Sequence, residues 1–329
     1  MTVWTRHPEA AAWRAALVEP EQPGRVCPAD YSYSPRVFAR EADFSADVLY
    51  VAGGLYGNLP ALGEIERMAA AEAVPVSIVF NGDFHWFDAE PEWFAAIERG
   101  VAPHRALRGN VETEIAREED IGAGCGCAYP DSMPADIVDR SNEILSLLQA
   151  VTPPAARSRL RGLPMHLVTE VGGLRVGIVH GDAAALAGWR FAHDELDNPK
   201  RRAWLADVQA AAQVDVFAST HTCLAALRDF VFPGARLTVI NNGAAGMPNF
   251  SGTTCGVITR VAATASPHRT LYGLARDGVH IDALAVDYDS AVFVNHFLKR
   301  WPEHSPAHVS YFQRIAGGPD YTIAQAAPR

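Results

Sequence analysis

Four polar residues each stand at or just past the end of a short apolar run, beside a glycine or a small polar residue. Asp83 follows Gly82, Asn110 follows Gly109, His180 precedes Gly181, and His221 lies between Thr220 and Thr222. A carboxylate, an amide oxygen and two imidazoles form a donor set that suits a borderline first-row divalent ion: Mn, Fe, Zn or Ni. Taken singly, each reads as readily as a helix cap, a turn residue or a satisfied core group. Four of them at successive strand ends read as a site.

The elements that must position them are legible from periodicity. Val76-Ser77-Ile78-Val79-Phe80 is rich in β-branched residues and predicts a buried strand, which releases Asn81-Gly82-Asp83 at its C-terminal tip. In an open α/β sheet that edge is where ligands bind. A first core strand is predicted over Asp47 to Ala52. It runs through Gly53-Gly54-Leu55-Tyr56-Gly57-Asn58 into a helix carrying Leu62, Ile65 and Met68. That turn lacks the full glycine spacing of a dinucleotide cradle, so the nucleotide signal is weak.

Further helices are expected around Trp93, Phe94 and Ile97, from about Asp136 to Ala150, and from about Asp197 to Ala212. A hairpin is expected across Gly172-Gly173, its second strand ending at His180. Two more strands should end at Ser219 and at Asn241. Residues 8–20 predict a short amphipathic helix around Ala11, Trp13 and Leu17, and residues 21–44 a surface segment. The loop holding Cys125 and Cys127 is glycine-rich. Beyond residue 260 a second hairpin is expected, followed by an aromatic tail with Phe297, Trp301 and Tyr311 that packs on the core or forms a dimer contact.

The chain has 329 residues, 49% hydrophobic and 20% charged, an ordinary globular composition that suffices for a large core. The domain plan expected is an N-terminal extension over 1–45, a core over 46–260, and a C-terminal hairpin and tail over 261–329 completing the same domain. A net charge of -10 argues against nucleic-acid or anionic-membrane partners, while a bound cation leaves room for a small phosphorylated substrate. The N-terminus has no signal-peptide core and no run approaches a membrane span. With five cysteines, an odd number, in a chain too long to need disulfides, a cytoplasmic protein with reduced thiols is expected, and a homo-oligomer is open.

In order and wording these blocks resemble the calcineurin-like metallophosphoesterase superfamily, especially its small bacterial phosphodiesterase branch. Gly57-Asn58-Leu59-Pro60 matches the tail of the first family block (Asp-x-His-Gly-Asn), Gly82-Asp83 the second, and Gly109-Asn110-Val111-Glu112 the third. His180-Gly181-Asp182 matches the fourth and Thr220-His221-Thr222-Cys223 the fifth, with Asn241-Asn242-Gly243-Ala244 resembling a following turn. The match covers roughly residues 46 to 260. The resemblance implies an α/β fold, two mixed β-sheets sandwiched between helices, and phosphomonoester or phosphodiester hydrolysis by metal-activated water.

The departures are as informative. Gly54 and Tyr56 stand where the family has its first-block aspartate and histidine, Val111 where it has the catalytic histidine, and Cys223 where it has the last histidine. Carried over residue by residue, one metal keeps its whole set (Asp83, Asn110, His180, His221), and the other keeps only the shared Asp83 and a potential thiolate, Cys223. One or two divalent ions are therefore expected. His85 and Asp88 are candidates to rebuild the first site, and His85 and Glu112 are candidate proton donors in place of Val111. Tyr56 and Asn58 are candidate substrate-binding residues. The alternative expectation is a non-catalytic relative, a binding or scaffold protein that kept the fold and lost turnover.

Overall fold

In the computed structural model, which describes residues 23–328, twelve strands alternate with helices. They are β1 (Phe44–Ser45), β2 (Val48–Val51), β3 (Val76–Asn81), β4 (Arg105–Leu107), β5 (His166–Val171) and β6 (Leu174–Val179). The series continues with β7 (Val216–Ser219), β8 (Ala226–Phe232), β9 (Ala235–Asn241), β10 (Gly256–Ala262), β11 (Thr270–Arg276) and β12 (Val279–Val286). The strands form two six-stranded sheets, ordered β1-β5-β6-β7-β9-β8 and β11-β12-β10-β2-β3-β4. Both are mixed: β2, β3 and β4 run parallel, as do β6, β7 and β9, while the hairpin partners are antiparallel. This is the expected sandwich of two mixed sheets.

Alternation along the strands explains the layering. Successive residues of a strand point to opposite faces, and all four residues of β2 are buried. Leu49 and Val51 join the core between the sheets with Val79, Val176, Ile178, Val216 and Ile240. Val48 and Tyr50 face the other way, into a core shared with Leu62, Ile65 and Met68 of the helix Leu59–Ala70. Each fully buried aliphatic side chain contributes roughly 1.5–3 kcal/mol of burial free energy. A continuously apolar strand such as β2 therefore settles only between two covered faces.

The parallel strands of the two sheets end along one seam, tied by side-chain amides. Asn81 Nδ2 donates to the Val179 carbonyl at 2.9 Å, and Asn242 Nδ2 donates to the Gly53 and Val257 carbonyls at 3.0 and 2.9 Å. The tips of β3, β4, β6 and β7 thereby meet, although they belong to different sheets.

Several expectations are corrected. Residues 23–44 are not a surface segment throughout: Tyr31 and Phe38 are fully buried, and Tyr31 donates to Glu114 Oε1 at 2.5 Å. Strands β8 and β10 were not anticipated. In β8 the charged pair Arg228 and Asp229 hides the pattern, yet Arg228 is matched to Asp197 and Asp229 to Arg236. The aromatic tail is two helices, Ser290–Arg300 and Pro306–Gly317, with Phe297 and Trp301 buried against the loop after Asp83; Trp301 Nε1 donates to the Phe87 carbonyl at 2.8 Å. Cys125 and Cys127 are paired in a disulfide, not separate thiols. Gly124 and Gly126, at positive φ, fold the loop so that the two Cα atoms lie 5.3 Å apart, within bridging range. The helix expected at 8–20 lies outside the described residues. Among those residues no helix is long and apolar enough to cross a membrane.

Candidate metal centre

The seam is built on close backbone approach. Gly82 has a φ of +94°, and a Cβ there would stand 2.5 Å from His180 Nδ1 and 2.6 Å from the Gly109 backbone. A Cβ at Gly109 would collide with Asp83 Oδ1. Only glycine at both places lets Asp83, the Asn110 helix and His180 converge. Four non-glycine residues of this region also hold left-handed backbone: Tyr56, Asp83, His221 and Cys223. Such conformations cost of order 1–3 kcal/mol each and cluster where a loop must aim a side chain.

Asp83, His180 and His221 present a carboxylate oxygen and two ring nitrogens within 4.8 Å of one another. His180 Nε2 lies 3.0 Å from Asn110 Oδ1, 3.1 Å from His221 Nδ1 and 3.4 Å from Asp83 Oδ1. The partners on the far side of each group fix its polarity. His180 Nδ1 donates to the Asn81 carbonyl at 2.9 Å, which leaves Nε2 with its lone pair. His221 Nε2 donates to the Cys127 carbonyl at 3.1 Å, which leaves Nδ1 bare. Asn110 Nδ2 donates to the Cys125 carbonyl at 2.9 Å, which turns Oδ1 inward. Four acceptors therefore face one point with no donor of their own between them. Buried acceptors in such an arrangement require a shared proton or a cation. A divalent ion with N and O ligands fits this donor set.

Electrostatics agree with that polarity at His221, and at His180 they favour a proton in the place a cation would take. Burial, with His180 close by, pushes His221 down to about 3, so it is neutral at any physiological pH. Burial also pushes His180 down, but the adjacent Asp83 carboxylate more than reverses this and the net shift is upward. A proton on His180 Nε2 would compete with a metal ion for the same lone pair.

The other candidates fall elsewhere. His85 is fully buried, stacked on Phe94 at 4.0 Å, with Nδ1 2.5 Å from Asp88 Oδ2 and Nε2 3.0 Å from Glu98 Oε1. Burial opposes its charged form, but Asp88 and Glu98 outweigh that and raise it to about 9. His85 and Asp88 are thus a buried structural ion network, and neither is free to rebuild a metal site or to deliver a proton to the pocket. Glu112 is also corrected. It is fully buried and accepts backbone N–H groups from Asp83, Phe84, His85 and Gly109 at 2.7–3.3 Å, strapping the Asp83 loop to the helix Asn110–Ala116. Asn58 spends both ends of its amide on the protein: Oδ1 caps Ala61 N–H and Nδ2 reaches the Gly246 carbonyl. It is fully buried and is not among the residues that line the pocket.

Tyr56 and Cys223 pair with each other. The Tyr56 ring lies against Gly54, where a Cβ would meet ring carbons at 2.8 and 3.1 Å. Its hydroxyl stands 2.8 Å from Cys223 Sγ. Burial raises both groups above their ordinary values, so the pair stays a phenol and a thiol. Cys223 is not among the residues that cluster at the metal centre.

A pocket of about 330 Å³ opens onto the centre. Asp83, Asn110 and His221 line it together with Tyr56, Val111 and Cys223. Its outer wall comes from Trp86, from Tyr311 of the aromatic tail, and from two residues that no sequence signal marked, Trp189 and Arg314; Tyr311 and Arg314 belong to the helix Pro306–Gly317. No motif surrounds Trp189 or Arg314.

No family model matches the sequence, and no curated protein matches it. Solved structures do. A metallophosphoesterase from Sphaerobacter thermophilus superposes with a TM-score of 0.53 at 16% identity, over 83% of this chain and 100% of that one. A hypothetical protein from Pyrococcus horikoshii OT3 superposes with a TM-score of 0.56 at 17% identity, over 83% of this chain and 99% of that one. With two mixed six-stranded sheets and acceptors converging at their joined tips, the chain has the metallophosphoesterase fold.

Proposed function

We propose that the protein is a metal-dependent phosphoesterase that works with one divalent ion and acts on a small phosphorylated substrate. The observation that carries this reading is the convergence of four lone-pair donors (Asp83 Oδ1, Asn110 Oδ1, His180 Nε2 and His221 Nδ1) with their protons directed outward. A divalent ion, Mn, Fe, Zn or Ni, would supply Lewis acidity toward a phosphoryl oxygen and lower the pKa of a water. The chain's own residues do the rest. Asp83, Asn110, His180 and His221 would hold the ion; Tyr56, kept protonated, offers a hydroxyl at the pocket wall; the aromatic walls exclude bulk water. The fold of the Sphaerobacter thermophilus metallophosphoesterase supports the assignment to this chemistry.

Val111 favours a second reading. It lines the pocket where the resemblance places a catalytic histidine, and no other pocket residue replaces a proton donor of that kind. A binding or scaffold protein with a bound ion would tolerate valine there. Turnover of p-nitrophenyl phosphate and bis(p-nitrophenyl) phosphate, measured with added Mn or Zn and with chelator, separates the two. The enzyme reading expects metal-dependent release of p-nitrophenol that Asp83→Ala and His221→Ala abolish. Metal bound at one equivalent with no release above the uncatalysed rate would leave the binding reading.

A further inference from the structure

Among the described residues, Arg314 is the one arginine or lysine lining the pocket at the metal centre. Among the described residues no carboxylate lies within ion-pair distance of it. Its guanidinium is nonetheless held in place: Nε donates to the Pro248 carbonyl at 3.1 Å and Nη2 to the Cys223 carbonyl at 2.5 Å. Nη1 has no hydrogen-bond partner among the described residues. A fixed, uncompensated guanidinium facing a cavity is an oxyanion receptor, because its fork is oriented before the ligand arrives.

A second observation points the same way. Trp86 lines the pocket and is almost wholly buried, and among the described residues its indole N–H makes no well-formed hydrogen bond, although the Tyr311 hydroxyl stands close by. A buried donor without a well-formed bond favours a ligand that accepts from it. The remaining walls are flat rings: Trp86 meets Tyr311 edge-on at 6.5 Å, and Tyr129 faces Trp189 at 6.0 Å. Two of them are tied back by their polar ends, Trp189 Nε1 to the Cys127 carbonyl and Tyr129 to Ser141, so ring surface is what they offer inward.

We propose that this pocket takes a phosphate ester with a planar aromatic organic group, its anionic phosphoryl end bound between the metal ligands and Arg314. The inference deepens the phosphoesterase reading and rests on it for the identity of the anion. Arg314 and the Trp86 N–H bind the non-bridging oxygens, and the rings of Trp86, Tyr311, Tyr129 and Trp189 bind the flat group. The helix Pro306–Gly317 thereby determines specificity as well as packing. Ring stacking of this kind discriminates aromatic from aliphatic groups by roughly 10-fold or more.

The test is titration calorimetry of the full chain with phenyl phosphate, adenosine 5′-monophosphate and ethyl phosphate, with metal content measured on the same samples. The expected result is at least 10-fold tighter binding of one or both aromatic probes than of ethyl phosphate. Whichever aromatic probe is preferred tells a simple aryl group from a nucleobase. Arg314→Met should weaken all three by at least 10-fold with metal content unchanged. Tyr311→Leu should erase the aromatic preference, and Trp86→Phe, which keeps the ring and removes the N–H, should weaken phosphate binding several-fold. Equal affinity for aromatic and ethyl probes, full affinity in Arg314→Met and in Trp86→Phe, or no binding of any probe at 10-fold above a millimolar concentration would overturn the inference. A protein that binds no metal yet keeps the Arg314-dependent aromatic preference would remove the phosphoesterase reading and leave the pocket assignment standing.

Discussion

His180 Nε2 lies 3.0 Å from Asn110 Oδ1, and the hydrogen bonds behind each group, to the Asn81 and Cys125 carbonyls, leave both atoms as acceptors. Two acceptors at that separation repel one another unless a cation or a proton lies between them. Metal binding should therefore stabilise the fold. At metal concentrations 100 times the dissociation constant the gain is about 2.7 kcal/mol, or a rise in thermal midpoint of about 4 °C for a chain of this size. Thermal unfolding with and without Mn or Zn checks this, and the rise should vanish in the double variant Asp83→Ala, His221→Ala.

Glu112 straps the Asp83 loop through four backbone N–H groups. Glu112→Ala leaves those donors buried without an acceptor and should cost roughly 3 kcal/mol or more. It should also lower metal affinity, because Asp83 loses its support. Denaturant unfolding and metal titration of the same variant measure both effects. A variant with wild-type stability and metal binding but no turnover would instead make Glu112 a catalytic group.

Val111 sits in the pocket with its N–H 3.2 Å from Asp83 Oδ1. Val111→His would place an imidazole beside the phosphoryl position. General-acid help is typically worth about 10²–10⁴-fold, so the gain should be large for alkyl leaving groups and small for p-nitrophenol. The ratio of kcat values for the two substrate types, before and after substitution, is the readout.

Arg260 and Glu72 form a buried pair far from the pocket, with contacts of 2.7 and 3.0 Å and the Tyr50 hydroxyl donating to the same carboxylate. Arg260→Met should destabilise by about 3–5 kcal/mol by leaving Glu72 uncompensated. Burial pulls the Glu72 pKa up, but the bonds from Arg260 and Tyr50 outweigh it and the net shift is downward. A depressed folded pKa contributes stability above the unfolded value, ~4.3, which is lost as pH falls through the folded one. Glu72→Gln should therefore flatten the acid limb of the stability profile below about pH 4.3, measured by denaturant unfolding at successive pH values.

The strand tips were legible because apolar β-branched runs ending in Gly-Asp, Gly-Asn or His-Gly combine two local signals, burial and a polar break. What those signals could not carry was orientation. His85, two residues from Asp83, turns into the core because its partners Asp88 and Glu98 lie on that side, and Glu98 is thirteen residues away on another helix. Glu112 likewise points to backbone N–H groups of a loop that precedes it by nearly thirty residues. The place of Tyr311 and Arg314 in the pocket was illegible for a related reason. They sit on an amphipathic helix, and only its docking against the Asp83 loop brings them, with Ser310, to the pocket.

The central claim is one divalent ion held by Asp83, Asn110, His180 and His221. Elemental analysis of protein purified without chelator tests it most directly. The account predicts one first-row ion per chain, lost in Asp83→Ala and in His180→Ala. Two ions per chain, or full occupancy in both variants, would contradict it.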